Sequence, residues 1–269
     1  MQHTLMIAIE AAHAAGRVIR DLYGRAAEVR AKGDAGLVTE ADLASNACIQ
    51  AIVNKAFPGD GWLSEETVDR ADRLAKPRVW IVDPLDGTAE FVSGVPEFVV
   101  SIGLTIDQEA VVGVLYNPIT QETFAGIRGE GAWLNEVAIR VSAATDMAAS
   151  TFCVSRTETR RGLLRGVEGH LHLRPMGSVA YKCGIVAAGR CAGLFTQNPR
   201  NEWDICAGVA LIEAAGGRVT DRQGQPYRFN QPNPLKGPIV GSNGHLHAAL
   251  LAVLNRTPPP PMPRVPTSP

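Results

Sequence analysis

Residues 80 to 88 read Trp80-Ile81-Val82-Asp83-Pro84-Leu85-Asp86-Gly87-Thr88, and the rest of the chain is understood outward from them. An apolar run, Val79 to Val82, predicts a buried strand that ends abruptly in two carboxylates separated by a proline and a leucine. Carboxylates at the end of a buried strand are costly to desolvate without a positive partner. No Lys or Arg lies between Val79 and Phe98, so a divalent cation is the economical counter-charge. Hard cations such as Mg²⁺ take oxygen ligands, a few carboxylates plus substrate phosphate oxygens. A plain turn needs Asp and Gly, but not two carboxylates, a proline-fixed backbone and a threonine together. The stretch points to a metal-dependent site for a phosphorylated small molecule.

The chain around it, 269 residues, is long enough for one large domain or two closely joined halves. Hydrophobic content of 45% with 20% charged residues predicts a sizeable core. A net charge of −1 without a basic block argues against a nucleic-acid polymer as partner. No apolar run reaches membrane-spanning length, and Met1 to Met6 lacks the basic and apolar regions of a secretory signal. The five cysteines (Cys48, Cys153, Cys183, Cys191, Cys206) are scattered, with no C-x-x-C, which fits free thiols in a reducing cytoplasm.

Helical spacing predicts helices over Leu5–Tyr23 and from Thr39 or Glu40 to Phe57, with a glycine-rich loop or hairpin at Lys32–Gly36 between them. A short strand from Trp62 runs into Glu65 and Glu66. Strands at Phe98–Ile106, Val111–Tyr116 and Glu122–Ile127, then a hairpin at Gly129–Asn135, read as an antiparallel meander. From about Ala143 the pattern alternates: strand Thr151–Ser155, an Arg-rich helix Thr157–Gly169, strand His172–Pro175, helix Val179–Ala188, strand Ala192–Thr196, helix Asp204–Ala215, strand Ile239–Asn243 and helix His245–Leu254. The expected organisation is an α+β half over 1–142, an α/β half over 143–255 and a disordered proline-dense tail over 256–269.

Acidic residues recur at element ends: Asp42, Glu65, the Asp83/Asp86 pair and Asp204. Taken singly, Asp204 reads as a helix N-cap, Asp42 as a complement to a helix dipole and Glu65-Glu66 as a solvated pair. Taken together they can face one cleft.

The hexapeptide Asp83-Pro84-Leu85-Asp86-Gly87-Thr88 resembles the first signature of the inositol monophosphatase family of metal-dependent, lithium-sensitive phosphatases. Trp203-Asp204-Ile205-Cys206-Ala207-Gly208, continuing to Glu213–Gly217, resembles its second. Lys32–Asp42 and Ser64-Glu65-Glu66 match its two other acidic blocks, so the resemblance covers about residues 5 to 254. It implies a layered αβαβα sandwich and a homodimer. It implies two to three Mg²⁺: one held by Glu65, Asp83 and the Leu85 carbonyl, one by Asp83, Asp86 and Asp204, and a weaker one near Glu65 with Asp42 in its outer shell. Thr88 and Asp42 would orient and deprotonate a metal-activated water. The Gly87 and Thr88 N–H groups, at a helix start, would receive the phosphate. Direct water attack without a phosphoenzyme follows, since an aspartyl-phosphate enzyme wants D-x-D-x-T and residue 83 begins D-x-x-D-G-T.

Two branches compete for the substrate. Leu63–Glu66, Asp86–Phe91, Glu97–Ile102, Glu202–Asp204 and Gly177-Ser178…Lys182 lean toward 3′(2′),5′-bisphosphate nucleotidases, the favoured expectation, with 3′-phosphoadenosine 5′-phosphate as substrate. Gly113–Pro118, Phe124-Ala125 and Gly129–Asn135 lean toward inositol monophosphatases. Ala89 stands where the nucleotidase branch carries a basic residue, and Gln197 where the inositol branch carries an acid for a ring hydroxyl. Ser178, Lys182, Gln197 and Arg200 are the expected substrate contacts, with Arg200 and Lys182 on a second phosphate. A catalytically idle binding protein on the same fold, or a partner of transcription or ribosome machinery, are the rival classes. Against the idle protein, every acid that the mechanism needs is present.

Overall fold

A computed structural model of the chain describes residues 1–24, 30–31 and 37–257. Helix α1 (Gln2–Leu22) is followed by strands β1 (Arg30–Ala31) and β2 (Leu37–Val38), then α2 (Glu40–Ala56), β3 (Gly61–Ser64), a 3₁₀ turn over Ala71–Ala75, and β4 (Arg78–Asp86). Next come α3 (Thr88–Val92), β5 (Val99–Ile106), β6 (Glu109–Asn117), β7 (Glu122–Ile127), β8 (Gly131–Leu134) and β9 (Val137–Ile139). The second half carries β10 (Thr151–Ser155), α4 (Arg156–Arg160), β11 (His172–Met176), α5 (Val179–Ala187), β12 (Gly193–Phe195) and β13 (Arg200–Asn201). It closes with α6 (Glu202–Ala214), β14 (Arg218–Asp221), β15 (Leu235–Lys236), β16 (Ile239–Ser242) and α7 (His247–Arg256).

Two sheets dominate. Strands β3 to β9 form a seven-stranded sheet in sequence order, parallel at β3–β4 and antiparallel after it. The other, five-stranded, runs β11-β10-β12-β16-β14. Alternation along the strands assigns their faces. In β4, Trp80 and Val82 pack with α1 and α2 against Ala8, Ala15 and Ile49, while Val79 and Ile81 face a second core built on α5 and α6. In β10, Cys153 joins that central core, and Phe152 and Val154 face a third with Leu250 and Leu254 of α7. The layers are therefore αβαβα: α1 and α2, the large sheet, α5 and α6, the small sheet, and α7.

Helix α6 lies directly on the large sheet where Gly103, Gly113 and Gly126 are cross-strand partners in β5, β6 and β7. A Cβ on Gly103 would stand 2.7 Å from Cys206 Sγ, and one on Gly113 would overlap the Ala207 carbonyl oxygen. This glycine row is a groove for α6, and α6 carries Asp204 at its start.

The expected helices and strands are found, with four differences. Strand β4 does not stop before the carboxylates but runs through Asp86. The helix expected over Thr157–Gly169 is helical only to Arg160; Gly162, in the left-handed region at φ 70°, turns the chain, which then buries Leu164, Val167 and Leu171 in the third core. Helix α6 starts two residues before Asp204, at Glu202. Strands β9, β13, β14 and β15 were too short or too polar for the period to mark. The Lys32–Gly36 loop and the tail beyond Thr257 lie outside the described residues. No helix of the described residues is long and apolar enough to cross a membrane.

Overpacking a full groove costs about 1–3 kcal/mol, more where backbone must move. Gly113→Ala is expected to lower unfolding free energy by ~3 kcal/mol in urea titrations, whereas Gly59→Ala, whose Cβ meets nothing within 4 Å, is expected to change it by less than about 0.5 kcal/mol.

Candidate active site

The D-P-L-D segment is a β-bulge. Asp83 pairs with Ser101 and Asp86 with Val99 across β4–β5, so the β4 strand holds one residue more than its partner. Bulges re-aim side chains beside active sites and tolerate a proline. Pro84 is anchored through its carbonyl, which accepts from Ser45 Oγ at 2.9 Å. The parallel pair β3–β4 aligns Ser64 with Val82, and the Glu65 N–H donates to the Val82 carbonyl at 3.2 Å, which brings Glu65 beside Asp83. Gly87 follows at φ 105°, with the Glu97 carbonyl and Phe98 pressed against the position of any Cβ, so only glycine turns the chain into α3 here.

Each of four aspartates has one oxygen held by a backbone N–H. Asp42 accepts from Thr39 N at 2.7 Å, Asp83 from Leu85 N at 3.0 Å, Asp86 from Ala180 N at 2.6 Å and Asp204 from Asn201 N at 2.9 Å. Asp42 and Asp204 both occupy the third position of their helices and reach back in capping boxes. The first-turn reading of Asp42 holds, whereas Asp204 is not the expected N-cap: Asn201 takes that position and Asp204 reaches back to it from the third residue. The other oxygen of Asp42 accepts from Thr88 Oγ1 at 3.0 Å, although 46 residues separate the pair.

A cleft of ≈ 420 Å³ is lined by Glu65, Asp83, Leu85, Asp86, Gly87, Thr88, Ser178, Lys182, Arg200 and Asp204, with further residues of both halves. A larger hollow, ≈ 630 Å³, lies between α1 and strands β6 to β8, and none of these acids reaches it. The site is assigned to the cleft because the charge is there. Asp83 is 2% exposed. Burial, then Glu65, Asp86 and Asp204, push its carboxyl well above the usual carboxylate range. Burial and then Asp86 push Asp204 up to about 8, against the opposing pull of Arg200. Burial and then Asp86 raise Glu90, on the rim.

This donor set fits hard divalent cations: oxygen only, anionic, and short of positive charge. Among the described residues no three acid, His or Cys side chains close into a finished shell. The carboxylates are neighbours, each anchored by one oxygen. Glu65, Asp83, Asp86, Asp204 and the Leu85 carbonyl are the groups that would hold the ions.

The expected substrate contacts divide. Ser178 and Arg200 line the cleft. Lys182 lines it too, but its ammonium donates to the Gly177 and Ser178 carbonyls at 2.9 and 2.7 Å, with the Met176 carbonyl at 3.5 Å, so it is engaged chiefly by its own turn. Gln197 is absent from the lining; its side-chain oxygen accepts from Arg222 at 2.7 Å. Arg200 Nε is the single buried side-chain nitrogen or oxygen without a partner among the described residues.

Glu158 and Arg161 are among the lining residues that escaped the sequence. Glu158, 1% exposed, accepts from the N–H groups of Gln197 and Asn198 and from Arg200, and so shapes the loop before α6. The S-x-x-E spacing Ser155…Glu158 was a visible cap signal, yet it gives no hint that the carboxylate reaches a distant loop. Arg161 lines the cleft from the end of α4, and nothing in its arginine-rich neighbourhood marks it out.

The inositol monophosphatase family model matches residues 1–258. Inositol monophosphatase 2 of Solanum lycopersicum is 35% identical over 269 residues, covering 96% of this chain and 100% of that one. The inositol-1-monophosphatase of Synechocystis sp. is 36% identical, covering 96% and 91%. The crystal structure of extragenic suppressor protein suhB from Bartonella henselae superposes with a TM-score of 0.84 at 33% identity, covering 94% and 99%. This chain belongs to the inositol monophosphatase family. It is a phosphoric monoester hydrolase of that metal-dependent family.

In the cation-free protein, a carboxyl whose folded pKa lies above its unfolded one stabilises the fold fully below the unfolded value of about 4. That contribution is lost as pH rises through the folded value, about 8 for Asp204. With chelator present, Asp204→Asn is expected to raise the melting temperature at pH 9 by ~2–4 °C, equivalent to roughly 1 kcal/mol, and to raise it less at pH 5. Equal shifts at both pH values would show that repulsion at Asp204 is not the cause.

Proposed function

We propose that this cleft hydrolyses a small polyol monophosphate of the inositol 1-phosphate type by direct, in-line attack of water, with two to three Mg²⁺. The observation that carries the chemistry is the Asp42–Thr88 hydrogen bond at 3.0 Å beside the anchored Asp83, Asp86 and Asp204. A divalent cation, when bound, lowers the pKa of water and offsets phosphate charge. Glu65, Asp83 and the Leu85 carbonyl, with Asp86 and Asp204, hold the ions. Thr88 orients the attacking water, and Asp42, through Thr88, takes its proton. The first-turn N–H groups at Gly87 and Thr88 receive the phosphate oxygens. The polyol preference rests on the relatives, which bear inositol monophosphatase names, and it displaces the nucleotidase as the leading substrate. The setting we infer is a homodimer in a reducing cytoplasm, consistent with thiols that are all unpaired.

One observation favours the bisphosphate nucleotidase as a second reading. The unpartnered Nε of Arg200 and the nearby Arg161 offer donors to a second anionic group. Initial rates in Mg²⁺ with inositol 1-phosphate, 3′-phosphoadenosine 5′-phosphate and fructose 1,6-bisphosphate, side by side, separate the two. Inositol 1-phosphate is expected to have the highest kcat/KM. A tenfold advantage for the bisphosphate nucleotide, abolished in Arg200→Ala, reverses the order. Asp83→Asn is expected to lower kcat by about 10²–10³-fold, the usual loss for a preorganised electrostatic group; Mg²⁺-dependent phosphate release at the wild-type rate would sink the assignment.

A further inference from the structure

Lys182 is 2% exposed and sits in the first turn and a half of α5. A positive charge at a helix N-terminus opposes the helix dipole, and a buried ammonium is costly unless fully bonded. The position therefore needs a reason other than a substrate phosphate, because the ammonium is directed at three successive carbonyls of its own turn, Gly177 and Ser178 at 2.9 and 2.7 Å and Met176 at 3.5 Å. Side chains on a helix tilt toward its N-terminus, so the ammonium reaches back over the turn Met176-Gly177-Ser178.

That turn is strained and exposed to relaxation. Ser178 has φ 46°, a left-handed conformation unusual for serine. From it the Ser178 hydroxyl donates to Asp86 Oδ2 at 2.5 Å and accepts from Tyr181 N at 2.9 Å. Ala180 N donates to the same Asp86 oxygen at 2.6 Å. Asp86 belongs to the first half of the chain, and every one of these donors belongs to the second.

We propose that Lys182 is a positioning residue for the divalent cation: by bonding the Met176, Gly177 and Ser178 carbonyls it fixes the turn whose hydroxyl and N–H hold Asp86 Oδ2, leaving the Oδ1 oxygen of Asp86 for the ion. The inference rests on the proposed cation site. Partners that orient a metal ligand commonly account for 10- to 100-fold in metal affinity.

Calorimetric titration of the chelator-treated protein with Mg²⁺ tests it, in wild type, Lys182→Met and Ser178→Ala. Both variants are expected to bind Mg²⁺ at least about tenfold more weakly. The Mg²⁺ concentration for half-maximal turnover moves by the same factor in both, and in Lys182→Met the substrate KM at saturating Mg²⁺ changes by less than about twofold. Wild-type Mg²⁺ affinity in the folded variants overturns the proposal, even where melting temperature has dropped, because a structural role alone would do that. A raised substrate KM with unchanged Mg²⁺ affinity overturns it in favour of substrate binding. Should Lys182→Met not fold, Ser178→Ala, which keeps the lysine, decides. If wild type itself binds no Mg²⁺, the cation site fails as well.

Discussion

The rest of the structure depends on holding like-charged carboxylates together with too little positive charge. Asp83 is almost fully buried, and Glu65, Asp86 and Asp204 all raise its proton affinity. Three of the four backbone N–H anchors come from helix starts: Thr39 before α2, Ala180 at the head of α5 and Asn201 before α6. Helix ends aimed at anions contribute roughly 0.3–1 kcal/mol each. Desolvating a carboxylate costs several kcal/mol. Three helix ends therefore orient the acids without neutralising them, and the balance is left to the metal on which this family depends.

That arrangement demands that two sheets be held in fixed relation, because Asp204 comes from the second half and the other acids from the first. The glycine row of β5, β6 and β7 lets α6 lie directly on the large sheet, which fixes the depth of Asp204. At the cleft rim, Arg156 of the second half pairs with Glu90 at 3.1 Å and Glu97 at 2.5 Å, and Gly177 N donates to Glu97 at 2.7 Å. Behind Asp204, the fully buried Glu202 accepts from Asn230 N, Gln231 N and Lys236. Exposed ion pairs contribute little; these are partly or wholly buried, so losing one partner leaves a charge stranded. Their value is geometric.

How much of this could be read beforehand follows from the range of each interaction. The acids at element ends, the meander and the α/β alternation are local patterns, and they were legible. Asp42 and Thr88 could be paired only through the family resemblance, since no spacing links residues 46 apart. The bulge was misread as the end of a strand because proline is a turn signal in sequence and a bulge residue in a sheet. The segment after Arg160 kept helical composition while its glycines broke the helix. Lys182 was read as a phosphate contact because its chemistry allows it; only the three carbonyls above it show the charge to be occupied. Gln197 looked like a hydroxyl contact until Arg222, 25 residues away, claimed its side chain.

Metal ligands and substrate contacts differ in legibility for a physical reason. Phosphate hydrolysis needs the same charges whatever the leaving alcohol, so the acids and Thr88 recur as a motif. The rest of the cleft is lined in part from a loop, residues 198–201, whose course depends on Glu158. Glu158 binds two N–H groups at the start of that loop and one arm of Arg200, 3.3 Å away. This leaves the buried Arg200 Nε without a partner. A neutral polyol can satisfy that donor with a hydroxyl, and an anionic group can satisfy it with stronger, charge-assisted bonds. Glu158 already offsets part of the Arg200 charge, and so fixes how that guanidinium sits at the cleft.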